Sequence, residues 1–252
     1  MQSPKEAPLY WAPLLCPAAI PLGNRLTATH ARTACRATNT RRSRRYVEAV
    51  HAPNTCALAS HIALEEAHAK YETVRVDFAS NAQRKPEFLA INPKGRVPAL
   101  ATEHGILTET PAILAYVAHT HPAARLAPFD RPYEFARIQA FNSYLCSTVH
   151  VAHAHRMRGS RWVDDEAAIA AMQRKVPSNV ADCFTLIEQT LFEGPWVTGA
   201  NYTISDPYLF TLCTWLDADG VDIARFPKIA AFEQRMRERP AVQRALAAQR
   251  AS

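Results

Sequence analysis

The stretch "NPKGRVPAL", Asn92 to Leu100, followed eight residues later by "TETPAILAYVA", Thr108 to Ala118, decides how this chain folds. In a sequence with seven glycines in all, Gly95 stands beside Arg96, Val97 and Pro98, and a helix then opens on an acid and a hydroxyl. A proline in a strand-forming run normally breaks it, because proline cannot donate to the hydrogen-bond ladder. A cis Val97–Pro98 bond, in a turn leading into the strand, removes that conflict.

Upstream, "YVEAV" (46–50) reads as a short strand. "HAPNTCALASHIALEEAHA" (51–69) gives a turn at Ala52 to Asn54 and then a helix with Ala57, Ile62, Ala63 and Ala67 at helical spacing. "YETVRVDF" (71–78) alternates as a strand through Val74, Val76 and Phe78, and "RKPEFLAI" (84–91) is a short helical piece. Downstream, "ATEHGILTE" (101–109) reads as a hairpin with Gly105 in the turn, and Pro111 to His119 as a second helix. The order is βαβ followed by ββα.

From Pro132 onward strand signals fade and helical patterns take over: Tyr133 to Arg156, Asp165 to Phe192, Ser205 to Asp217 and Pro227 to Arg237. The expected fold class is therefore α/β plus all-α, with an N-terminal domain over 46–122 and an all-helical C-terminal domain over 131–252. The proline-rich "HPAARLAPFDRP" (121–132) links them. Within "NYTISDPYLF" (201–210) a capping box is expected: the Thr203 hydroxyl accepts from the Asp206 amide, and the Asp206 carboxylate reaches back to the Thr203 amide. Asp206 is thereby read as structural.

The formal charge of +6 is unevenly spread. Residues 1–45 hold eight of the 29 basic residues and one of the 23 acids, which is +7; the remaining 21 bases and 22 acids give −1. The basic character thus belongs to a Pro-, Ala- and Arg-rich extension, expected to be disordered, and the near-neutral remainder gives no ground for nucleic-acid binding. That extension reads as an organellar-type presequence, a nucleic-acid-contacting arm, or a segment without a role. No apolar run reaches the roughly 20 residues of a membrane span. Six cysteines (Cys16, Cys35, Cys56, Cys146, Cys183, Cys213) lack CxxC spacing, which argues against a disulfide framework or zinc knuckle and points to a reducing, cytoplasmic compartment.

With these motifs in view, the chain from about Tyr46 onward resembles the cytosolic glutathione transferases: "NPKGRVPAL", then "LTETPAI", then a helical domain with "YTISDPYLF". "HAPNTCALASHIALEEA" is most similar to the bacterial beta-type enzymes, which carry a cysteine at the start of the first helix, where Cys56 stands. His150 in "YLCSTVH" falls where those enzymes place a histidine facing the thiol. The resemblance implies a thioredoxin-like N-terminal domain that binds glutathione as co-substrate, a helical domain that shapes the pocket for a small electrophile, and a homodimer.

A site of this kind must stabilise negative charge on sulfur. Helix N-terminal amides contribute about 0.3–2 kcal/mol, enough to lower a thiol from ~8.5 to about 7. Cys56, with Asn54 and Thr55 as lesser donors, is the candidate thiol-side group, and His150 a polar group opposite it. Val97, ahead of a cis Pro98, can pair antiparallel with the cysteinyl part of a bound peptide. Glu109 can accept the γ-glutamyl ammonium, while Thr110 and the helix amides receive its carboxylate. Arg84, Lys85 and Lys94 are candidates for the glycyl carboxylate. His150, His153 and His155 do not suggest a metal site, since His155 lies off their shared face and no nearby acid completes a set. Arg156, Arg158 and Arg161 line an acidic-substrate pocket or are merely exposed.

The expected function is conjugation of glutathione to small electrophiles. The alternatives are thiol–disulfide exchange or peroxide reduction through Cys56, and a non-enzymatic glutathione-binding module.

Overall fold

The computed structural model describes residues 47–251. The extension over 1–45 and the strand start at Tyr46 lie outside the described residues.

Four strands form one sheet in the order β2-β1-β3-β4: β1 (Val47–His51), β2 (Tyr71–Arg75), β3 (Ala99–Thr102) and β4 (Gly105–Thr108). β1 pairs parallel with β2 through the crossover helix α1 (Ala57–Glu66) and antiparallel with β3, which pairs antiparallel with β4. This is the βαβ-ββα thioredoxin-like arrangement. Side chains alternate across it, as a pleated sheet requires. Ala49 and its partner Leu100 face the main core, whereas Val50 and its partner Ala99 face a smaller cluster with Val76, Phe88 and Val97. Helix α2 (Pro86–Leu89) supplies Phe88 to that second face.

Two local expectations are corrected. β2 ends at Arg75, so the expected alternation through Phe78 does not continue: Val74 is 40% exposed on the sheet edge, and Val76 turns inward. Gly105 does not sit in the hairpin turn but opens β4 opposite Thr102, leaving Glu103 and His104 as the turn.

Helix α3 (Thr110–Thr120) closes the sheet-bearing half. Helices α4 (Pro132–Tyr144) and α5 (His150–Arg158) run on through a widened π-type turn at Leu145–Val149. Then come α6 (Glu166–Leu186), α7 (Ser205–Cys213), α8 (Pro227–Arg237) and α9 (Pro240–Ala251). The last of these has no counterpart in the sequence reading. It packs on α1, and Arg239 grips Glu66 through Nε and Nη2 at 2.6 and 2.8 Å. One apolar core runs from Ile62 of α1 through Leu114 of α3 to Phe210 of α7, all fully buried.

The capping box is half as expected. The Asp206 carboxylate accepts from the Thr203 amide at 2.6 Å and also from the Val197 amide at 2.8 Å. The Thr203 hydroxyl, however, accepts from the Ser205 amide at 3.3 Å and donates to Asp206; the Asp206 amide goes to the Thr203 carbonyl instead. Asp206 draws in three donors because it is fully buried. Among the described residues no helix is long and apolar enough to cross a membrane.

Candidate active site

The first wall of the site is the turn between β1 and α1. Asn54 adopts a left-handed conformation (φ 57°), and the Thr55 hydroxyl donates to the Ala52 carbonyl at 2.7 Å. Asn and Thr suit such a turn because their short polar side chains bond locally. The chain then delivers Cys56 to the N-cap of α1, where its carbonyl accepts the Ala59 amide. The Cys56 thiol is 9% exposed and donates to the Val97 carbonyl at 3.5 Å.

Burial pushes this thiol up to about 11, against a contact from Thr110 that pulls it down. At Cys56 itself the helix N-terminus does not offset this burial. Withdrawal from water disfavours the thiolate more than the helix terminus favours it. Cys56 remains a neutral thiol at physiological pH.

The second wall is the loop ahead of β3. Gly95 takes φ 61°, which a side chain rarely adopts, and an added Cβ would lie 3.0 Å from both the Gln83 carbonyl and the Arg84 guanidinium. Asn92 is 1% exposed and fastens the loop: its Nδ2 donates to the Arg96 carbonyl at 2.6 Å, and its Oδ1 accepts the Lys94 amide at 3.2 Å. The Val97–Pro98 bond is cis, as the sequence required. Sequence reasoning missed Asn92, though an asparagine two residues before a loop amide is the signature of a side-chain-made turn.

The third wall is the N-terminus of α3. Glu109 has φ 73°, an unusual value for a residue with a side chain, and such strain concentrates at sites of function. Its carboxylate caps no amide. It meets Lys94 Nζ at 2.5 Å, and that ammonium also donates to the Thr108 hydroxyl at 2.6 Å. Simple helix capping is thereby removed as an account of Glu109. Thr110 is buried and lines the same cleft as Cys56.

The helical half supplies the fourth wall. The widened turn at Leu145–Val149 presents Cys146 and leads into His150, whose ring packs on Trp215 with centroids 5.1 Å apart. Burial, and then His153 and the charges of Arg161 and Arg96, lower His150 to about 4, so the imidazole is neutral. Cys146 and Tyr208 both line the cleft, and burial raises the Cys146 thiol as well. Tyr208, Trp215 and Cys146 were not anticipated; their signal was a helical apolar pattern that reads as core.

One statement about the histidines is overturned. An acid does lie beside His153: Asp219, from a short turn after α7, meets its Nδ1 and also accepts from Arg156 Nε at 2.7 Å. The pair is buried, and Nε2 of His153 has no partner among the described residues. Among the described residues no cluster of three His, Cys, Asp or Glu side chains is placed to hold a metal ion.

These walls enclose a cleft of about 560 Å³. All eight expected site residues, Cys56, Asn54, Thr55, Val97, Pro98, Glu109, Thr110 and His150, line it. Arg84 also lines it, whereas Lys85 does not, and Lys94 is engaged by Glu109. Arg156, Arg158 and Arg161 are on its wall with Arg96. The cleft thus offers two helix N-termini, two acids each held by a cation, and further arginines on its wall.

The family model described as "Glutathione S-transferase, N-terminal domain" matches residues 46–119, and that described as "Glutathione S-transferase, C-terminal domain" matches 154–249. A curated relative, glutathione S-transferase GstA of Escherichia coli O157:H7, is 34% identical over 200 residues, 78% of this chain and 96% of its own length. Among solved structures, a glutathione transferase homologue from Sulfitobacter with bound glutathione aligns at 46% identity and a TM-score of 0.78, covering 82% of this chain and 98% of its own. A beta class glutathione S-transferase from Sphingomonas chungbukensis aligns at 33% and 0.71, covering 80% and 98%.

Proposed function

The chain belongs to the glutathione S-transferase family, and from that premise we propose that its cleft binds glutathione against Val97, Glu109 and Thr110 and conjugates it to small electrophiles. The single observation that carries the site assignment is the convergence of three elements on one cleft: the Cys56 thiol at the α1 N-cap, the Val97 carbonyl to which it donates, and Thr110 opening α3.

In this reading the cysteinyl part of glutathione pairs with the main chain of Val97. The amide of that residue has no hydrogen-bond partner among the described residues and is free to donate. Glu109 receives the γ-glutamyl ammonium, and Thr110 with the first amides of α3 receives the carboxylate. The bound sulfur then lies at the start of α1, where the Cys56 S–H, Thr55 and the amides stabilise its thiolate. Asn54 shapes the turn that presents them, and Pro98 holds the loop. His150 supplies a neutral polar group from the helical side.

The glutathione thiol gives its proton to water. Its thiolate attacks the electrophilic carbon, a C–S bond forms, and the leaving group departs with the bonding electron pair. Holding both reactants together supplies most of the acceleration. The protonated, buried state of Cys56 favours this donor role over thiol–disulfide exchange, in which Cys56 itself would have to attack as thiolate. The family resemblance further supports a homodimer, and four free cysteines among the described residues fit a reducing, cytoplasmic setting.

The test is glutathione-dependent turnover of a chlorodinitrobenzene by the purified protein and by Cys56→Ala. Conjugation persists in the variant if Cys56 is a donor. Loss of nearly all turnover, with an intact fold, assigns covalent exchange chemistry to Cys56 instead.

A further inference from the structure

Glutathione does not balance the charge of this cleft. The acids on its wall are both satisfied: Glu109 by Lys94, and Asp219 by His153 and Arg156. Arg84, Arg96, Arg158 and Arg161 line the same cleft and form no ion pair among the described residues. They stand close enough to oppose one another. Burial first, and then the charges of Arg96, Arg158 and Arg84, hold Arg161 below the usual guanidinium range. Like charges gathered without a counter-ion are a standing invitation to an anion.

These cations divide by position. Arg84 packs on Gly95, and Arg96 immediately precedes Val97, so both belong to the loop along which the peptide is read. The glycyl carboxylate of glutathione brings one negative charge to that side. Arg158 and Arg161 lie on the helical half, at the end of α5 and in the short turn after it. Nothing in glutathione is left for them. Beside them the cleft wall is apolar: Arg158 sits over Phe78 at 5.9 Å, Trp162 is 45% exposed, and Met157 is 69% exposed. Apolar surface next to unpaired guanidinium groups matches a ligand with an unsaturated or aromatic body and a charged end.

We propose that the electrophile accepted by this enzyme carries an anionic group, a carboxylate or sulfonate remote from the reacting carbon, bound by Arg161 and Arg158. The proposal rests on the transferase reading and specifies its second substrate class. Arg161 is a specificity residue here, acting on the substrate's charge and not on the sulfur.

The test compares S-(p-carboxybenzyl)glutathione with S-benzylglutathione, two product-like conjugates that differ by one carboxylate, titrated calorimetrically into wild type, Arg161→Gln, Arg161→Lys and Arg158→Gln. A charge-assisted contact is worth a factor of about ten or more in affinity. Wild type is expected to prefer the carboxylated conjugate by about that factor, less at high salt, with the ratio falling to about two or below in Arg161→Gln and largely kept in Arg161→Lys. Turnover of a chloronitrobenzoate against its methyl ester should follow the same order. Equal binding of both conjugates by wild type, or a ratio unchanged in Arg161→Gln and Arg158→Gln, overturns the arginine assignment alone. Failure of wild type to bind either conjugate overturns the transferase reading, and the inference with it.

Discussion

The Cys56 thiol donates to the carbonyl oxygen of Val97, 41 residues away in sequence, across 3.5 Å. That contact joins the start of α1 to the loop that turns on a cis proline, and it marks the spot at which the peptide-binding edge and the thiol-stabilising helix end meet.

Burial at that meeting point determines how Cys56 behaves. With its thiol raised to about 11, alkylation of the ligand-free protein at Cys56 is expected to be slow at pH 7 and to gain nearly tenfold per pH unit up to that value, with no plateau below it. Iodoacetamide labelling followed by peptide mass spectrometry reads this directly. A plateau near pH 7 would show a thiolate already formed.

Glu109→Gln and Lys94→Met should separate binding from stability. The Lys94–Glu109 pair is exposed, with side chains 42% and 53% accessible, so losing it should change unfolding free energy by less than about 1 kcal/mol. Glu109→Gln, by contrast, should raise the KM for glutathione about tenfold or more, because a charge-assisted contact to the ligand ammonium is lost. Lys94→Met frees the carboxylate and should leave that KM equal or lower. Equal effects of the two substitutions on KM would contradict the role given to Glu109.

Asp206→Asn should unfold more easily by roughly 1–3 kcal/mol, since an amide in place of the carboxylate turns one donor against another donor, at Thr203 or Val197. Burial raises the Asp206 carboxyl to about 7, above its ordinary 3.8. A raised acid is more protonated in the folded state, so its contribution is full below pH 4 and falls as pH rises toward 7. The difference in urea unfolding free energy between wild type and Asp206→Asn should narrow over that window and then level.

His61 gives the opposite slope. It is buried with both ring nitrogens unpartnered, and burial, followed by nearby His51, lowers it to about 4. A depressed base contributes stability above its unfolded value of 6.5 that is lost as pH falls toward 4. His61→Leu should therefore flatten the stability profile between pH 6.5 and 4. An unchanged profile would show that His61 stays neutral throughout or charges without cost.

The sheet-bearing half was legible because its signals are local. A glycine–valine–proline turn, alternating apolar residues and a cysteine just ahead of an apolar helix each specify one conformation within a few residues. The seven expected site residues of that half, Asn54, Thr55, Cys56, Val97, Pro98, Glu109 and Thr110, reach the cleft for that reason, while His150 reaches it from the helical half. What could not be read arises from contacts distant in sequence. The approach of Asp219 to His153 needs the end of α7 to fold back on α5, and nothing near either residue announces it. Cys146, Tyr208 and Trp215 look like core until the widened turn before His150 shows them to the cleft. The raised thiol of Cys56 could not be read because desolvation depends on all the walls at once, whereas the helix end is visible in the sequence. α9 was missed because its apolar positions, Ala241, Val242 and Ala245, are small and set among polar residues.

The most direct test of the whole account is a glutathione titration followed by thiolate absorbance in the ultraviolet, on wild type and Cys56→Ala across pH. The account predicts a thiolate signal that grows with bound glutathione, reports a lowered pKa, and survives in Cys56→Ala with that pKa moved up. A signal absent from both proteins, or one that vanishes with Cys56 while glutathione still binds, would contradict it.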